Sequence, residues 1–445
     1  MSKHLQGKKH LTSFQIIIAG FATVILLGAL LLMLPFSTTD NMVTPFNETL
    51  FTATSAVCVT GLVVQDTGSY WSGFGQAVIL LLIQIGGLGV VTVAASFALL
   101  AGRKISLMQR STIQEAIAAP KVGGIVRLTG FIVKATLIIE AVGAIVMLPV
   151  FCKDYGVKGI WLAVFHSVSA FCNAGFDILG TTEKNFESLI SYSDNGVITI
   201  TIAALIIIGG IGFLTWDDIR AHRHRIKSYR MQSKVILVAT AILIIVPTVY
   251  YFFYEFGDFP FGKRMLVSLF HAVTPRTAGF NSVDLTLLSG VGQSIMIILM
   301  LIGGSPGSTA GGMKTTTIAV LVGNAIAVFQ KKESAHFFGR RIEDRAIKNA
   351  ATIVFMYLVL FFLGAMVISA VEKLPLSVCL FETASAVGTV GLTLGITPDL
   401  GMISQGILII LMYFGRVGGL TIIYAALAGT NNIPSKLPQE KITVG

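Results

Sequence analysis

FTATSAVCVTGL (Phe51–Leu62), FHSVSAFCNAGF (Phe165–Phe176), FHAVTPRTAGF (Phe270–Phe280) and FETASAVGTVGL (Phe381–Leu392) are four variants of one segment, each ending in a glycine followed by an apolar residue. The glycines are Gly61, Gly175, Gly279 and Gly391, spaced 114, 104 and 112 residues apart. Four copies at near-regular spacing mean that one small unit was used four times. Four units around an axis enclose a pore, and a glycine at the same place in each puts backbone carbonyls where side chains would otherwise stand. That is the chemistry of a cation filter.

The surrounding sequence is that of a membrane protein. Of 445 residues, 54% are hydrophobic and 12% charged, against about 25% charged in an ordinary soluble domain. Apolar runs long enough to span a bilayer, about 20 residues, fall near 14–36, 71–101, 124–150, 191–216, 234–256, 287–330 (interrupted), 349–371 and 401–429. No soluble domain remains once they are removed, and the first reads as a retained span rather than a signal peptide. The expected fold is an all-α polytopic membrane protein of four span–pore-helix–span units: 1–110, 111–230, 231–345 and 346–445.

Charge fixes the orientation. With the amino terminus inside, the cytosolic segments hold 22 Lys/Arg and the outer loops six. This is the positive-inside pattern, and it places both termini in the cytoplasm. It accounts for the net charge of +10 without nucleic acid. Fourteen of the 22 acidic residues lie outside or at the outer mouth, among them Asp40, Glu48, Asp66, Glu183, Asp258 and Glu382. A negative outer surface concentrates cations. The four cysteines have no metal-site or disulfide spacing.

Each repeated segment reads as a short re-entrant helix followed by extended backbone. In the first, Thr44 suits an N-cap and Pro45 the first helical position, and Pro260 and Pro375 recur near the corresponding starts. The carboxyl end of such a helix carries partial negative charge toward the axis, which favours a cation. The carbonyls expected to face that axis belong to Cys58, Val59, Thr60 and Gly61; Cys172, Asn173, Ala174 and Gly175; Arg276, Thr277, Ala278 and Gly279; and Gly388, Thr389, Val390 and Gly391. The third copy is one residue shorter, and Arg276 stands where the first two have cysteine. Its side chain is expected to point away from the axis and tie the loop to the protein behind.

A second echo follows in each unit: IGGLGVVT (Ile85–Thr92), IGGIGFLT (Ile208–Thr215), IGGSPGST (Ile302–Thr309) and FGRVGGLT (Phe414–Thr421). In the first two copies plain helix packing is the expectation. The third opens GGSPGSTAGGMKTTT (residues 303–317), with Gly303, Gly304, Gly307, Gly311, Gly312 and a proline. That composition cannot sustain a helix, so the span breaks at mid-membrane, as a gate below a filter would. It is not a phosphate loop, because Met313 separates Gly312 from Lys314. In the fourth copy Arg416 replaces the second glycine. A charge at this depth is costly and usually faces a cavity. Arg416 is expected to sit below the filter, repel cations and bond carbonyls of the broken loop, with Lys314 as a weaker partner.

Among the remaining polar groups in the spans, Lys134 is expected to snorkel and Glu140 to bond a neighbouring helix. His166 and His271 read as helix anchors, and Asp217 and Asp218 carry no assignment. The membrane interior offers no cluster of titratable groups for an enzyme. A passive anchor leaves the fourfold glycine repeat unexplained.

The segments VTGL, NAGF, TAGF and TVGL, set in four concatenated units, resemble the Trk/Ktr/HKT superfamily of potassium transporters. The likeness covers nearly the whole chain, and the short termini and the segment after Gly303 look most like the bacterial Ktr membrane subunit. The resemblance implies K⁺ uptake across the bacterial cell membrane through one pore per chain, with no organic cofactor. It further implies a gate at 303–317, a homodimer, and a cytosolic ring of nucleotide-binding RCK-type regulatory subunits. Plant relatives with serine at the first glycine tend to pass sodium, so Gly61 favours potassium. A sodium-selective or sodium-coupled porter of the same fold is the alternative.

Overall fold

The computed structural model describes residues 12–100, 105–119, 121–419 and 421–422. The two termini, with their basic residues, and Arg103 and Lys104 lie outside this range. Each unit contributes a first span, a short pore helix and a second span. The first spans are α1 (Ser13–Leu32), α6 (Ile125–Tyr155), α10 (Met231–Tyr250) and α14 (Asp344–Glu372). The pore helices are α2 (Phe46–Val57), α7 (Lys158–Phe171), α11 (Phe261–Val273) and α15 (Leu376–Gly388). The second spans begin with α3 (Gly73–Leu88), α8 (Gly196–Gly210), α12 (Gly290–Leu301) and α16 (Met402–Val417). Beyond the breaks run α4 (Val90–Leu100), α9 (Phe213–His222) and α13 (Thr315–Phe329), and α5 (Leu107–Ile117) joins units one and two. A small antiparallel hairpin, β1 (His336–Phe337) and β2 (Arg340–Arg341), links α13 to α14.

Among the described residues, the four first spans, α10 together with its continuation to Glu255, are unbroken helices long and apolar enough to cross a bilayer, and the bent pairs α3–α4 and α8–α9 pass the same test as broken spans. Leu27 and Leu30, Ile138 and Ile145, Ile242 and Ile245, and Phe355 and Leu363 are all exposed on the four first spans. Exposed apolar rows on every first span fit a hydrocarbon solvent. The pore helices are the reverse. Most of α2, α7 and α15 is buried, including polar residues such as Thr52, Ser55, Ser169 and Ser385.

Packing closes the ring. Each pore helix touches the second span of the unit before it: α7 on α3, α11 on α8, α15 on α12 and α2 on α16. The last pair joins the end of the chain to its beginning, so four copies in sequence become four walls around one axis.

Two local details differ from the sequence expectation. The helix N-cap is Pro45 itself, in extended geometry, and Thr44 instead bonds the Tyr70 hydroxyl. Pro260 and Pro375 occupy the same N-cap position in α11 and α15, because a proline held near φ −55° with extended ψ launches the helix without a side-chain cap. The second spans of units one and two are also not straight. α3 and α4 meet at 95°, and α8 and α9 at 94°. The turning residues are Gly89 (φ 84°) and Gly212 (φ 92°), a conformation that side-chain-bearing residues rarely adopt.

Candidate functional site: a glycine–carbonyl ring above a broken span

After each pore helix the backbone alternates hand. Val59, Asn173, Thr277 and Thr389 have φ of 57°, 58°, 69° and 51°, and Gly61, Gly175, Gly279 and Gly391, two residues later, have 92°, 69°, 83° and 96°. Four non-glycine residues in the left-handed region, three of them β-branched, are held there by their surroundings.

The glycines form a ring. A Cβ built on Gly61 would stand 2.4 Å from the Ala174 carbonyl oxygen. One on Gly175 would stand 2.5 Å from Ala278 O, on Gly279 2.3 Å from Val390 O, and on Gly391 2.2 Å from Thr60 O. Each glycine thus abuts the carbonyl of the residue preceding the next unit's glycine, and the fourth closes on the first. Any side chain would push these carbonyls apart.

A hydroxyl behind each copy fixes this geometry. Ser55 Oγ accepts from Gly61 N at 3.0 Å, and Ser385 Oγ accepts from Gly391 N at 3.0 Å. Ser169 Oγ donates to Phe176 O at 2.7 Å, and Thr274 Oγ1 donates to Phe280 O at 2.5 Å. These four residues are absent from the expected site. They were visible as a hydroxyl six residues before the glycine, or five in the shortened third copy. Arg276 points outward to Thr240 Oγ1 of α10, 3.4 Å away.

The second-span glycines seat the pore helices. A Cβ on Gly86, Gly209 or Gly415 would lie 2.1–2.3 Å from the carbonyl oxygens of Val57, Phe171 or Val387, at the carboxyl ends of α2, α7 and α15. In unit three the corresponding stretch leaves the helix altogether. Residues 302–314 fold directly beneath the ring: a Cβ on Gly311 would meet Thr389 Oγ1 and one on Gly303 would approach Thr277. Gly304 packs on Ala310 within the loop, and the loop turns at Gly307 and Gly312, both at positive φ.

Backbone groups that a helix would satisfy internally are paired across units. Ser305 N donates to Gly210 O at 3.0 Å, Gly312 N to Gly415 O at 3.2 Å, and Phe213 N to Gly307 O at 2.6 Å. Thr309 Oγ1 donates to Phe171 O at 3.0 Å. Arg416 donates to Thr309 O of the loop and to Gly86 O and Gly87 O of unit one. Lys314 donates to Ala310 O at 2.9 Å and Gly311 O at 3.1 Å. Among the described residues neither cation has a carboxylate partner.

Two cavities flank the ring. The outer one, about 280 Å³, is lined by all four ring glycines together with Asp66, Asp177 and Asp399. The inner one, about 360 Å³, is lined by Gly87, Pro306, Gly312, Lys314, Gly415 and Arg416. The outer cavity is lined by three aspartates and no Lys or Arg, whereas Arg416, Lys314 and Glu115 line the inner one. At the outer mouth Asp177 is pushed up to about 7 by burial and then by the neighbouring Asp66 carboxylate. Asp66 itself is a brace: it accepts from Ser69 N at 2.8 Å and Phe186 N at 2.7 Å, pinning the outer loop of unit two to unit one.

The other polar residues of the spans have local partners. Gln84 Nε2 donates to Glu140 Oε2 at 3.3 Å, and Cys172 Sγ lies 3.9 Å from Oε1. His166 and His271 each engage the carbonyl four residues earlier, at 2.8 and 2.9 Å, and Lys134 is exposed on α6. Asp218 accepts from Arg230 N at 3.0 Å and Ser233 Oγ at 2.6 Å, tying α9 to the start of α10. Among the described residues no group of three or more His, Cys, Asp or Glu side chains could hold a metal.

Four helical units closed around one axis, with backbone carbonyls at the centre, define a polytopic membrane transport protein. The chain belongs to the Trk/Ktr family of cation transport proteins: the family model described as "TrkH: Cation transport protein" matches residues 1–433. It is 41% identical to the potassium/sodium uptake protein NtpJ of Enterococcus hirae, across 98% of both chains. It is 36% identical to Ktr system potassium uptake protein B of Bacillus subtilis, across 97% of this chain and 96% of that one. Its fold is similar to that of the potassium transporter TrkH from Vibrio parahaemolyticus, with a TM-score of 0.75 at 18% identity, covering 96% of this chain and 87% of that chain.

Proposed function

We propose that this protein takes up K⁺ across the bacterial cell membrane through the glycine–carbonyl ring, and that the loop at 303–317, with Arg416 and Lys314, is the gate. The observation that carries the reading is the closed ring. Four glycines bring four carbonyls within contact of their neighbours, and carbonyls replace the water of a dehydrating cation. The acidic outer cavity gathers cations, while the inner cavity presents Arg416 and Lys314, which oppose their passage until the loop moves. Relatives named for potassium or potassium/sodium uptake support the choice of ion.

Sodium coupling is the second reading, favoured by the name of the 41% identical relative. Uptake of ⁸⁶Rb⁺ and ²²Na⁺ into proteoliposomes separates the two. Preferential rubidium uptake is the expected result, and preferential sodium uptake refutes the potassium assignment. Both termini are cytosolic in this reading, on the charge asymmetry alone. A homodimer and a nucleotide-binding RCK-type ring on the basic inner face complete it, in keeping with a relative named as protein B of a system.

A further inference from the structure

We propose that the cytosolic end of α6 holds the phosphate headgroup of an anionic phospholipid. A cavity of about 600 Å³ opens there, lined by Lys121, Arg127, Phe131, Arg220 and Arg230, with Asp217 its one carboxylate. Asp217 is already engaged by Arg230 at 2.9 Å. Lys121 and Arg127 have no carboxylate partner among the described residues, and both are exposed. The Arg220 guanidinium lies 4.6 Å from the Phe131 ring centroid, which orients its donors while leaving them free.

The start of α6 adds to this field. Gly124 precedes it at φ 81° with no side-chain cap. The amides of Val126 and Arg127 have no acceptor among the described residues. Uncapped amides and a positive helix end attract phosphate.

The apolar side of the site selects a lipid over a soluble anion. Phe131, Ile138, Val142 and Ile145 follow one another at helical spacing on α6, and the last three are 64%, 55% and 67% exposed. This strip leaves the pocket toward the membrane interior, so an acyl chain has a surface to follow once its headgroup is bound. A basic pocket at the cytosolic boundary continuous with an exposed apolar helix face matches an anionic phospholipid in both charge and polarity.

The test uses the full-length protein, delipidated in detergent and titrated with phosphatidylglycerol or phosphatidylcholine, with retained lipid counted by native mass spectrometry. Phosphatidylglycerol is expected to be retained at least about fivefold better. Lys121→Gln with Arg127→Gln should lose that preference, by roughly fivefold per cation removed. Neither residue has a carboxylate partner to lose, so the fold should survive, and Arg340→Gln with Arg341→Gln on the hairpin is the charge-matched control that should retain the lipid. Equal retention of both lipids, or unchanged retention in the Lys121/Arg127 variant, overturns the proposal. Displacement of the lipid by millimolar inorganic phosphate also overturns it, by making this a soluble-anion site.

Discussion

At the scale of single residues, the ring rests on contacts that leave no room for a Cβ. Gly61→Ser places one 2.4 Å from the Ala174 oxygen, so that carbonyl must turn or move outward. The expected outcome is a fall of roughly tenfold, about 1.4 kcal/mol, in the preference for ⁸⁶Rb⁺ over ²²Na⁺; an unchanged ratio would remove Gly61 from the selective site. Ser55→Ala deletes the acceptor of the Gly61 amide and should weaken the first wall by about 1 kcal/mol, read as lower rubidium uptake with the protein still folded. The glycines were legible in the sequence because they recur with an apolar neighbour. The serines were not singled out, because a serine in a short helix is ordinary until its hydroxyl is seen against the turn it supports.

At the same scale, Asp177 predicts a pH dependence of uptake. Its carboxyl, outside the spans and raised to about 7, is charged above that pH and neutral below it. Uptake from dilute external K⁺ should therefore drop as external pH falls through about 7, by roughly fivefold if one charge is worth about 1 kcal/mol at the mouth. Asp177→Asn should abolish the dependence. The stability effect runs the other way. The folded state holds this proton more tightly than the unfolded chain, so stability falls as pH rises from about 4 to about 7, and the same variant should flatten that slope in thermal unfolding.

At the scale of elements, the bends explain the loop. The sequence located the break in unit three from its glycines and proline, and it located Arg416 as the odd member of the fourth copy. It did not reveal that Gly89 and Gly212 bend the second spans of units one and two at φ 84° and 92°, or that Gly418 ends α16 at φ 89°, since glycines in an apolar run read as helix packing. Each bend interrupts the i→i−4 ladder and frees carbonyls on the inner side of the ring. Those of Gly86 and Gly87 receive Arg416, those of Gly209 and Gly210 receive loop amides, and that of Gly415 receives Gly312 N. The loop is held by acceptors that only bent helices provide. Gly89→Ala, whose Cβ would meet only Thr92 Oγ1 at an ordinary 3.8 Å, should cost only the conformational strain, about 1–2 kcal/mol. Gly212→Ala also meets Pro306 O at 2.7 Å, so it should lower thermal stability further and release the loop. Arg416→Gly removes three carbonyl contacts and the charge together. Its expected phenotype is a rubidium flux raised roughly tenfold without regulation, since each charge-assisted bond contributes about 1.5–3 kcal/mol; an unchanged rate would end the gating role.

At the scale of the whole molecule, the chain separates symmetry from control. On the proposed function, the ring keeps four similar walls because one ion meets all of them, while the departures from symmetry, the 303–317 loop and Arg416, gather on the other side of the ring. On the proposed orientation, the segments at 220–234 and 331–348 face the cytosol and carry twelve Lys/Arg. A regulatory ring docked there would be held in part by exposed charge, and exposed charge is screened over about 10 Å at 0.1 M salt and about 3 Å at 1 M. A nucleotide-binding partner is therefore expected to co-purify with the detergent-solubilised protein at low salt and to separate from it on size exclusion as salt approaches 1 M. Arg416→Gly should leave that association intact while uncoupling flux from it, because Arg416 sits beneath the ring and not on the inner surface. Loss of the partner in that variant would place Arg416 in the docking contact instead, and the division between a symmetric filter and an asymmetric gate would fail.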